Sequence, residues 1–401
     1  MSERGGGGAE LRGVRLAELM PWSVAPWRPG RDWPLAAEPE TLRRRWRALA
    51  ETEGERREAL FGPTRARTTR SSVAPLPGRP ATTGRLARDP GPCPEPVRVL
   101  DGPFDARWLL PDHRLLDTAR PELWRAHGPH SRYLLETGPG GPPLLATALL
   151  PTGRNPYGRA HPVRPLHRGP DAADPNLAPG LLPYLAEELG LPVTAEDVFA
   201  WIVCAAVPGS GGCQVPLPRQ AGEWEAGVAW GTAALALLAP LDGTRPRLPG
   251  GRRPYVRAPL VPVAGEEGPY PVAYDKESES LLVGGGRIAP VPSGAWEFTC
   301  GGVRVVAEWV ARRTAVGAPG TLEGLAPGEW PQERTRELLE LITVLALLAE
   351  AEASRPEVAG PVLGEAELRA AGVLPVPAAA RRPGPVLAVR EEGPEGQSAL
   401  W

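Results

Sequence analysis

One stretch concentrates side chains that could do chemistry: Leu100 to Arg125, which reads LDGPFDARWLLPDHRLLDTARPELWR. Its aromatic rings stand among carboxylates and arginines, and a guanidinium presents a planar fork of donors that a carboxylate accepts two at a time. The stretch therefore favours a buried ion-pair lattice, in which pairs such as Asp105 with Arg107 hold a strand to a helix. The same fork matches phosphate or a base edge, so a nucleic-acid surface is the alternative. The residues assigned structural roles are Phe104, Asp105, Arg107, Trp108, Arg120 and Trp124.

Two further segments are basic loops. Residues 62–93 mix six arginines with Thr, Ser, Gly and Pro, a composition that suits contacts to backbone phosphates and also a solvated linker. Residues 245–257 surround one tyrosine with five arginines and a Gly pair, which is typical of base-reading loops and also of surface turns. The DNA-binding candidates are Arg65, Arg67, Arg70 and Arg85 for phosphate, and Arg252, Arg253 and Tyr255 for base edges.

Several apparent catalytic motifs are incomplete. Asn155-Pro156-Tyr157 resembles the Asn-Pro-Pro-aromatic motif of amino-methyltransferases, but the second proline and an upstream Gly-rich cofactor loop are missing. The glycines of 209–212 lack the Lys-Ser/Thr that completes a phosphate loop. The four cysteines have neither CxxC spacing nor paired histidines, so they indicate reduced thiols and no zinc site. We therefore expect no catalytic residue, no metal and no cofactor.

The helix that the sequence predicts over 38–61 has an unusual charge pattern. Glu40 and Thr41 open it, and four arginines follow in its first half, at positions 43, 44, 45 and 47. Cations at a helix N-terminus oppose the macrodipole unless an anion or Glu40 compensates them. This pattern adds to the case for a segment that faces phosphate.

Periodicity and turn residues predict the remaining elements. Helices are expected over 115–127, 194–206, 221–239 and 332–354, and strands over 104–110, on both sides of the Gly/Pro turn after Ser131, and within 280–292. Thr194 and Asp197 are close to a capping box. Helix 332–354 is apolar around most of its circumference, so it must be central to the core. The fold class is α+β, with mixed helices and antiparallel strands around a buried C-terminal helix and with disordered ends.

Four sets of motifs occur in one order along roughly 60–355. They are Pro-Phe-Asp-x-Arg-Trp followed by Arg-Pro-x-Leu-Trp, then Asn-x-x-Pro with Thr-x-x-Asp-Val-Phe-x-Trp, then Pro-x-x-x-Trp296-Glu-Phe, and finally Trp330-Pro-x-Glu-x-Thr. Together they resemble the C-terminal specificity domain of type ISP restriction-modification enzymes. Those long chains join a nuclease, a DNA-translocating helicase, an adenine methyltransferase and a target-recognition domain. The resemblance adds Trp296 and Trp330 to the structural residues.

The resemblance implies a domain that reads a target in double-stranded DNA. Because the methyltransferase, helicase and nuclease motifs are not found in the sequence, we interpret the chain as a stand-alone specificity module. It would supply recognition to a separate DNA methyltransferase and to nuclease subunits. The alternative is a catalytically inert protein-interaction module that reuses the specificity fold.

The expected division is a flexible N-terminal arm at 1–30 that could dock through Trp22 or Trp27, a basic helical and loop segment at 31–93, a specificity-domain core at 94–355, and a flexible tail at 356–401. Net charge falls from +6 over 1–93 to 0 over 94–263 and −8 over 264–401, although the total is only −2. A basic front end suits phosphate contact. The absence of a signal peptide and of a long apolar run predicts a cytoplasmic protein without membrane contact.

Overall fold

The computed structural model describes residues 13–79, 84–154, 161–238, 246–248, 251–263, 269–326 and 329–382. The helices within these residues are α1 (Leu16–Leu19), α2 (Pro39–Ala50), α3 (Gly54–Phe61), α4 (Pro121–Ala126), α5 (Leu181–Leu189), α6 (Ala195–Ala205), α7 (Ala221–Leu238), α8 (Ser293–Glu297), α9 (Val305–Thr314), α10 (Gln332–Glu352) and α11 (Glu365–Ala370). The strands are β1 (Val14–Arg15), β2 (Leu35–Ala36), β3 (Val97–Leu100), β4 (Ala106–Leu109), β5 (Tyr133–Glu136), β6 (Leu144–Thr147), β7 (Leu150–Pro151), β8 (Val163–Pro165), β9 (Gln214–Val215), β10 (Leu217–Pro218), β11 (Tyr255–Ala258), β12 (Val272–Asp275), β13 (Ser280–Val283), β14 (Gly286–Ala289), β15 (Thr299–Cys300), β16 (Val303–Arg304) and β17 (Val362–Leu363).

The strands form several small sheets. One four-stranded sheet has the order β2-β4-β3-β7, with β3 and β7 parallel and the other pairs antiparallel. A second, with the order β11-β14-β13-β12, is antiparallel throughout. A three-stranded antiparallel sheet has the order β6-β5-β8, and β1-β9, β10-β17 and β15-β16 are two-stranded. The predicted α+β class with antiparallel strands is confirmed.

Helix α10 is the buried C-terminal helix that its apolar circumference predicts. Leu338, Ile342 and Leu345 are fully buried on it. They share one hydrophobic cluster with α9 and with the inner residues of the β11–β14 sheet. This packing fixes one face of that sheet and leaves the other face to solvent.

Helices α6 and α7 pack closely on each other. Thr194 and Asp197 form the expected capping box at the start of α6. A Cβ on Gly231 would lie 2.0 Å from the Ala200 carbonyl oxygen, and one on Gly227 would meet the Trp201 ring at 2.2 Å. The two glycines therefore allow α7 to approach α6 at backbone distance.

The segments expected to be flexible at the two ends are partly packed. Trp22 and Trp27 are buried, and the Asn176 amide bonds both the N–H and the carbonyl of Trp22, at 2.9 and 2.8 Å. Near the other end, β17 pairs with β10, and Leu368 of α11 is fully buried. Local Gly and Pro content favours flexibility, but long-range contacts hold these described parts of the two segments against the rest of the fold.

Two predicted helices are shorter than expected. The single helix expected over 38–61 is divided into α2 and α3, and Gly54 at the break has φ +56°. The helix expected over 115–127 is reduced to α4, which begins at Pro121 after Arg120 in the left-handed conformation. Proline is favourable at the first helical position but restricts the residue before it, so the helix cannot extend further back.

Candidate nucleic-acid interface

The β11–β14 sheet has a core face and an open face. Leu281, Val283 and Ile288 point into the cluster around α10. Because side chains alternate along a strand, the residues between them point the other way. The large side chains exposed on the open face are Tyr255, Arg257, Leu282 and Arg287.

The edge strand β11 presents an aromatic ring and a cation together. The Arg257 guanidinium lies 3.7 Å from the centroid of the Tyr255 ring. The pairing register shifts between Val256 and Ala258, which places Arg257 at a bulge. Bulges at sheet edges re-aim a side chain. Tyr255 is 45% exposed, which leaves the rest of its ring available to a ligand.

Arg287 extends this group across the sheet. It stands opposite Leu282 on β13 and opposite Ala258 on β11. Arg252 and Arg253 are exposed just before β11, and Arg252 lies 3.8 Å from the Glu279 carboxylate. Both members of that pair are about half exposed, so water weakens the attraction and a stronger anion can displace it. The open face therefore combines an aromatic ring with guanidinium groups, which can donate hydrogen bonds to base edges and phosphates.

The first basic loop divides into exposed and buried arginines. Arg65, Arg70 and Arg85 are exposed. Arg67 is only 5% exposed and its guanidinium lies 3.0 Å from the His113 ring nitrogen. The predicted phosphate contact is therefore wrong for Arg67, which makes contacts within the protein, whereas Arg65, Arg70 and Arg85 face solvent.

The Leu100–Arg125 stretch forms a buried ion-pair lattice. Asp105 accepts from Arg107 Nε at 3.0 Å and also pairs with Arg312 and Arg313 of α9. Asp101 pairs with Arg312 as well. Gly102 lies against the Arg312 guanidinium with φ +115°, a backbone conformation that favours glycine. The lattice fastens the β3–β4 hairpin to α9.

Asp105 stays ionised inside this lattice. Burial alone would raise the pKa of its carboxyl, but the surrounding arginines, chiefly Arg107 and Arg313, outweigh burial and lower the pKa below its ordinary value. A carboxylate with three guanidinium partners is expected to act in structure rather than as an acid or a base.

The other residues assigned structural roles each have a packing partner. Phe104 meets Phe298 edge to face at 5.6 Å, Trp296 stacks on Tyr274 at 5.8 Å, and Trp330 stacks on Tyr270 at 5.7 Å. Trp124 contacts Trp27 at 6.4 Å, and the Arg98 guanidinium lies 5.2 Å from the Trp108 ring. Arg120 precedes α4.

The structure places the two groups of DNA-binding candidates on different cores. Leu86, next to Arg85, packs with the α2–α3 cluster, whereas Val256, next to Tyr255, packs with the α10 cluster. Sequence reasoning overlooked Arg287 and Leu282. The apolar alternation through 280–289 could have found them, since it marks both as outward residues. Arg245 and Asn155-Pro156-Tyr157 lie outside the described residues.

The described part of the chain offers little for metal or redox chemistry. No three His, Cys, Asp or Glu side chains in it converge on a possible metal position. Burial raises the pKa of the Cys300 thiol and of the Cys213 thiol to about 12, so neither is a thiolate at neutral pH. Nor does any helix there have the length and apolar character to cross a membrane.

The chain belongs to the family of Type ISP C-terminal specificity domains, whose model matches residues 18–341. The sequence motifs that resemble this family are thus confirmed. No curated protein sequence matches the chain.

Three solved structures share the fold. They are the DrdV–DNA complex (TM-score 0.57, 13% identity, 90% of this chain and 39% of that one), the Type ISP restriction-modification enzyme LlaBIII bound to DNA (0.56, 14%, 86% and 24%), and a nuclease-deletion mutant of the Type ISP enzyme LlaGI with a DNA substrate mimic (0.51, 12%, 86% and 28%). This chain therefore spans less than half the length of each.

Proposed function

We propose that this chain recognises a target sequence in double-stranded DNA, through the open face of the β11–β14 sheet and the residues just before it. The observation that carries the proposal is the exposed group of Tyr255, Arg257 and Arg287 beside Arg252 and Arg253. Arginine bonds guanine O6 and N7 with two parallel hydrogen bonds, and the major groove admits a two-stranded ribbon. Arg252 and Arg253 would read base edges, and Tyr255 would pack beside them.

The exposed arginines of the first loop would contact phosphates. Arg65, Arg70 and Arg85 stand among hydroxyl side chains, and such contacts fix a protein on the duplex without reading sequence. The solved structures that share this fold are described as DNA complexes, which supports a duplex as the ligand. In this proposal the loop supplies affinity and the sheet supplies discrimination.

We extend the proposal to a division of labour in a restriction-modification system. Recognition by this chain would direct a DNA methyltransferase and a nuclease carried on separately encoded subunits. Adding a co-encoded methyltransferase to the DNA-binding assay tests this extension. Enrichment of a site only in its presence would show that recognition requires the complex.

The first experiment is selection from randomised duplex DNA. The purified chain is incubated with the pool, washed at moderate salt, and the retained DNA is sequenced. We expect one asymmetric site to be enriched by the wild type and by Arg369→Ala, which removes an exposed arginine on α11. Arg252→Ala should retain DNA with less enrichment. No enrichment with or without a methyltransferase would contradict the proposal.

A protein-interaction module is the competing function. The net charge of −2 gives no general attraction to DNA, and Leu282 and Val261 are exposed. A protein ligand would show weak dependence on salt, whereas the affinity for DNA falls steeply as salt rises. The salt dependence therefore separates the two functions.

A further inference from the structure

A cavity lies where α2 begins, between that helix, β4 and the residues of α9 and α10. It encloses about 970 Å³, including the part open to solvent. Arg154 at its mouth is 49% exposed. The charged side chains that line it are Arg45, Arg107, Arg154, Arg312, Arg313, Arg334, Asp32, Glu38 and Glu323.

Most of these cations have a carboxylate partner. Arg107, Arg312 and Arg313 belong to the buried lattice with Asp101 and Asp105. Arg334 bonds Glu38 at 2.7 Å, and Arg154 lies 3.6 Å from Asp32. The charge of Arg107, Arg312, Arg313 and Arg334 is therefore compensated, whereas the pair of Arg154 with Asp32 is exposed to water and weak.

Arg45 differs from the others. It is 8% exposed, and it donates to the carbonyl oxygens of Trp33, Leu35 and Glu323 at 3.1, 2.9 and 3.1 Å. Among the described residues no carboxylate lies within ion-pair distance of it, and its Nε has no partner there. Burial lowers the pKa of Arg45 to about 10, although the Glu323 charge acts in the opposite direction. A buried cation held only by neutral carbonyls is costly.

Thr41 lies one turn before Arg45 on the same face of α2. Its side chain is 2% exposed, and within the described part of the chain its hydroxyl has no hydrogen-bond partner. The cap residue Glu38 makes no side-chain hydrogen bond to the helix, so it does not satisfy the first-turn N–H groups. Thr41, Arg45 and the cap residue of α2 thus line one cavity, and two of these side chains carry a buried polar atom without a partner in the described residues.

We propose that this cavity binds a phosphate group, held by Thr41, Arg45 and the N-terminus of α2, with Arg154 attracting it at the mouth. Phosphate oxygens accept hydrogen bonds from all three kinds of donor. The bound anion would neutralise Arg45 and compensate the arginines that crowd the start of α2. Such a phosphate could come from the backbone of DNA or from a free phosphate compound. Binding of a free phosphate does not depend on the DNA-recognition proposal.

Thr41→Val tests the site because it removes the hydroxyl and nearly preserves the shape. Thermal unfolding of the full chain is measured against inorganic phosphate, with sodium chloride at matched ionic strength. Without phosphate the variant should melt above the wild type, since a buried hydroxyl without a partner is destabilising. With phosphate the variant should need about tenfold more of the anion for the same rise in Tm, because a hydrogen bond to a charged group is lost.

A buried threonine elsewhere provides the matched control. Thr343 on α10 donates its hydroxyl to the Leu339 carbonyl at 2.8 Å. Thr343→Val should leave the response to phosphate unchanged. Arg154→Ala removes an exposed cation at the mouth and should weaken phosphate binding a few-fold.

DNA binding distinguishes the two sources of phosphate. If the site takes a backbone phosphate, Thr41→Val should weaken binding to every duplex alike. If it takes a free compound, the variant should lose its response to inorganic phosphate and keep its affinity for DNA. The proposal is overturned if Thr41→Val equals the wild type in both phosphate response and DNA affinity.

Discussion

Arginine has opposite roles in two regions of the molecule, the lattice around Asp105 and the open face of the β11–β14 sheet. In the lattice, the half-buried Arg107 and the buried Arg313 pair with Asp105 and connect β4 to α9. On the sheet, Arg257 and Arg287 are exposed on a face whose reverse side is in the core. The first group has fixed partners, whereas the second is available to a ligand.

The difference is determined by where the carboxylates lie. Arg107 has an acid, Asp105, two positions away in the chain, and folding adds two arginines from α9 to this pair. Arg252 and Arg253 have no acidic neighbour in the adjoining described sequence, and Arg252 has a half-exposed partner, Glu279, at 3.8 Å. Acidic residues interleaved with arginines therefore favour a structural role for those arginines, and the absence of such acids favours a role in recognition.

Removal of the central carboxylate should have the largest effect. Asp105→Asn should lower the free energy of unfolding by about 3–5 kcal/mol, because it leaves several guanidinium groups without their buried counter-charge. Urea unfolding, with the slope checked for two-state behaviour, measures the loss. Asp171→Asn, in an exposed loop, is the matched control and should change little. A loss below about 1 kcal/mol would mean that the lattice contributes no more to the free energy of unfolding than a surface ion pair does.

The same carboxylate should dominate the response to acid. Because the folded-state pKa of Asp105 is lowered, its contribution to stability is complete above its unfolded pKa of about 4 and is lost as pH falls toward the folded value. The wild type should lose stability steeply below about pH 4, and Asp105→Asn should show a shallower decline. Urea midpoints across this acid range check the slope. Parallel curves would assign the acid response to other groups.

Much of the fold could be predicted where the signal is local. The Thr194 capping box fixes the start of α6, and the apolar circumference of α10 requires burial. The strands β13 and β14 follow from alternation around a Gly turn. The pair of Asp105 with Arg107, which stand two residues apart, was also expected, although its partners on α9 were not. These features depend on residues within a few turns of one another.

The remaining features depend on distant residues. Trp22 is buried because the Asn176 amide bonds its backbone, and these residues are 154 positions apart. On α7, Gly227 and Gly231 form the closest contact with α6, which approaches at backbone distance. Arg67 shares its loop composition with Arg65, but its contact with the distant His113 distinguishes the two. Composition cannot reveal such partners.

A substitution at the open sheet should alter recognition without altering stability. Arg252→Ala should reduce discrimination between target and altered sites by about 1–3 kcal/mol, because a bidentate base contact is lost. Competition binding with single-base variants of the selected site measures this. Arg369→Ala should leave discrimination intact. An equal loss for every sequence would make Arg252 a phosphate contact.

The smallest expected effect concerns two arginines of the first basic loop. Arg65 is exposed, and Arg67, two residues later, is buried. Arg65→Ala should weaken binding to all sequences alike and reduce the slope of log affinity against log salt by about one, because one phosphate contact is lost. Its unfolding free energy should not change. Arg67→Ala should instead lower stability, since its buried partners lose a donor. The contrary result is that Arg67→Ala reduces the slope of log affinity against log salt and keeps the wild-type stability. That result would mean that the loop turns Arg67 outward when DNA binds, and that burial does not separate structural from binding arginines in this loop.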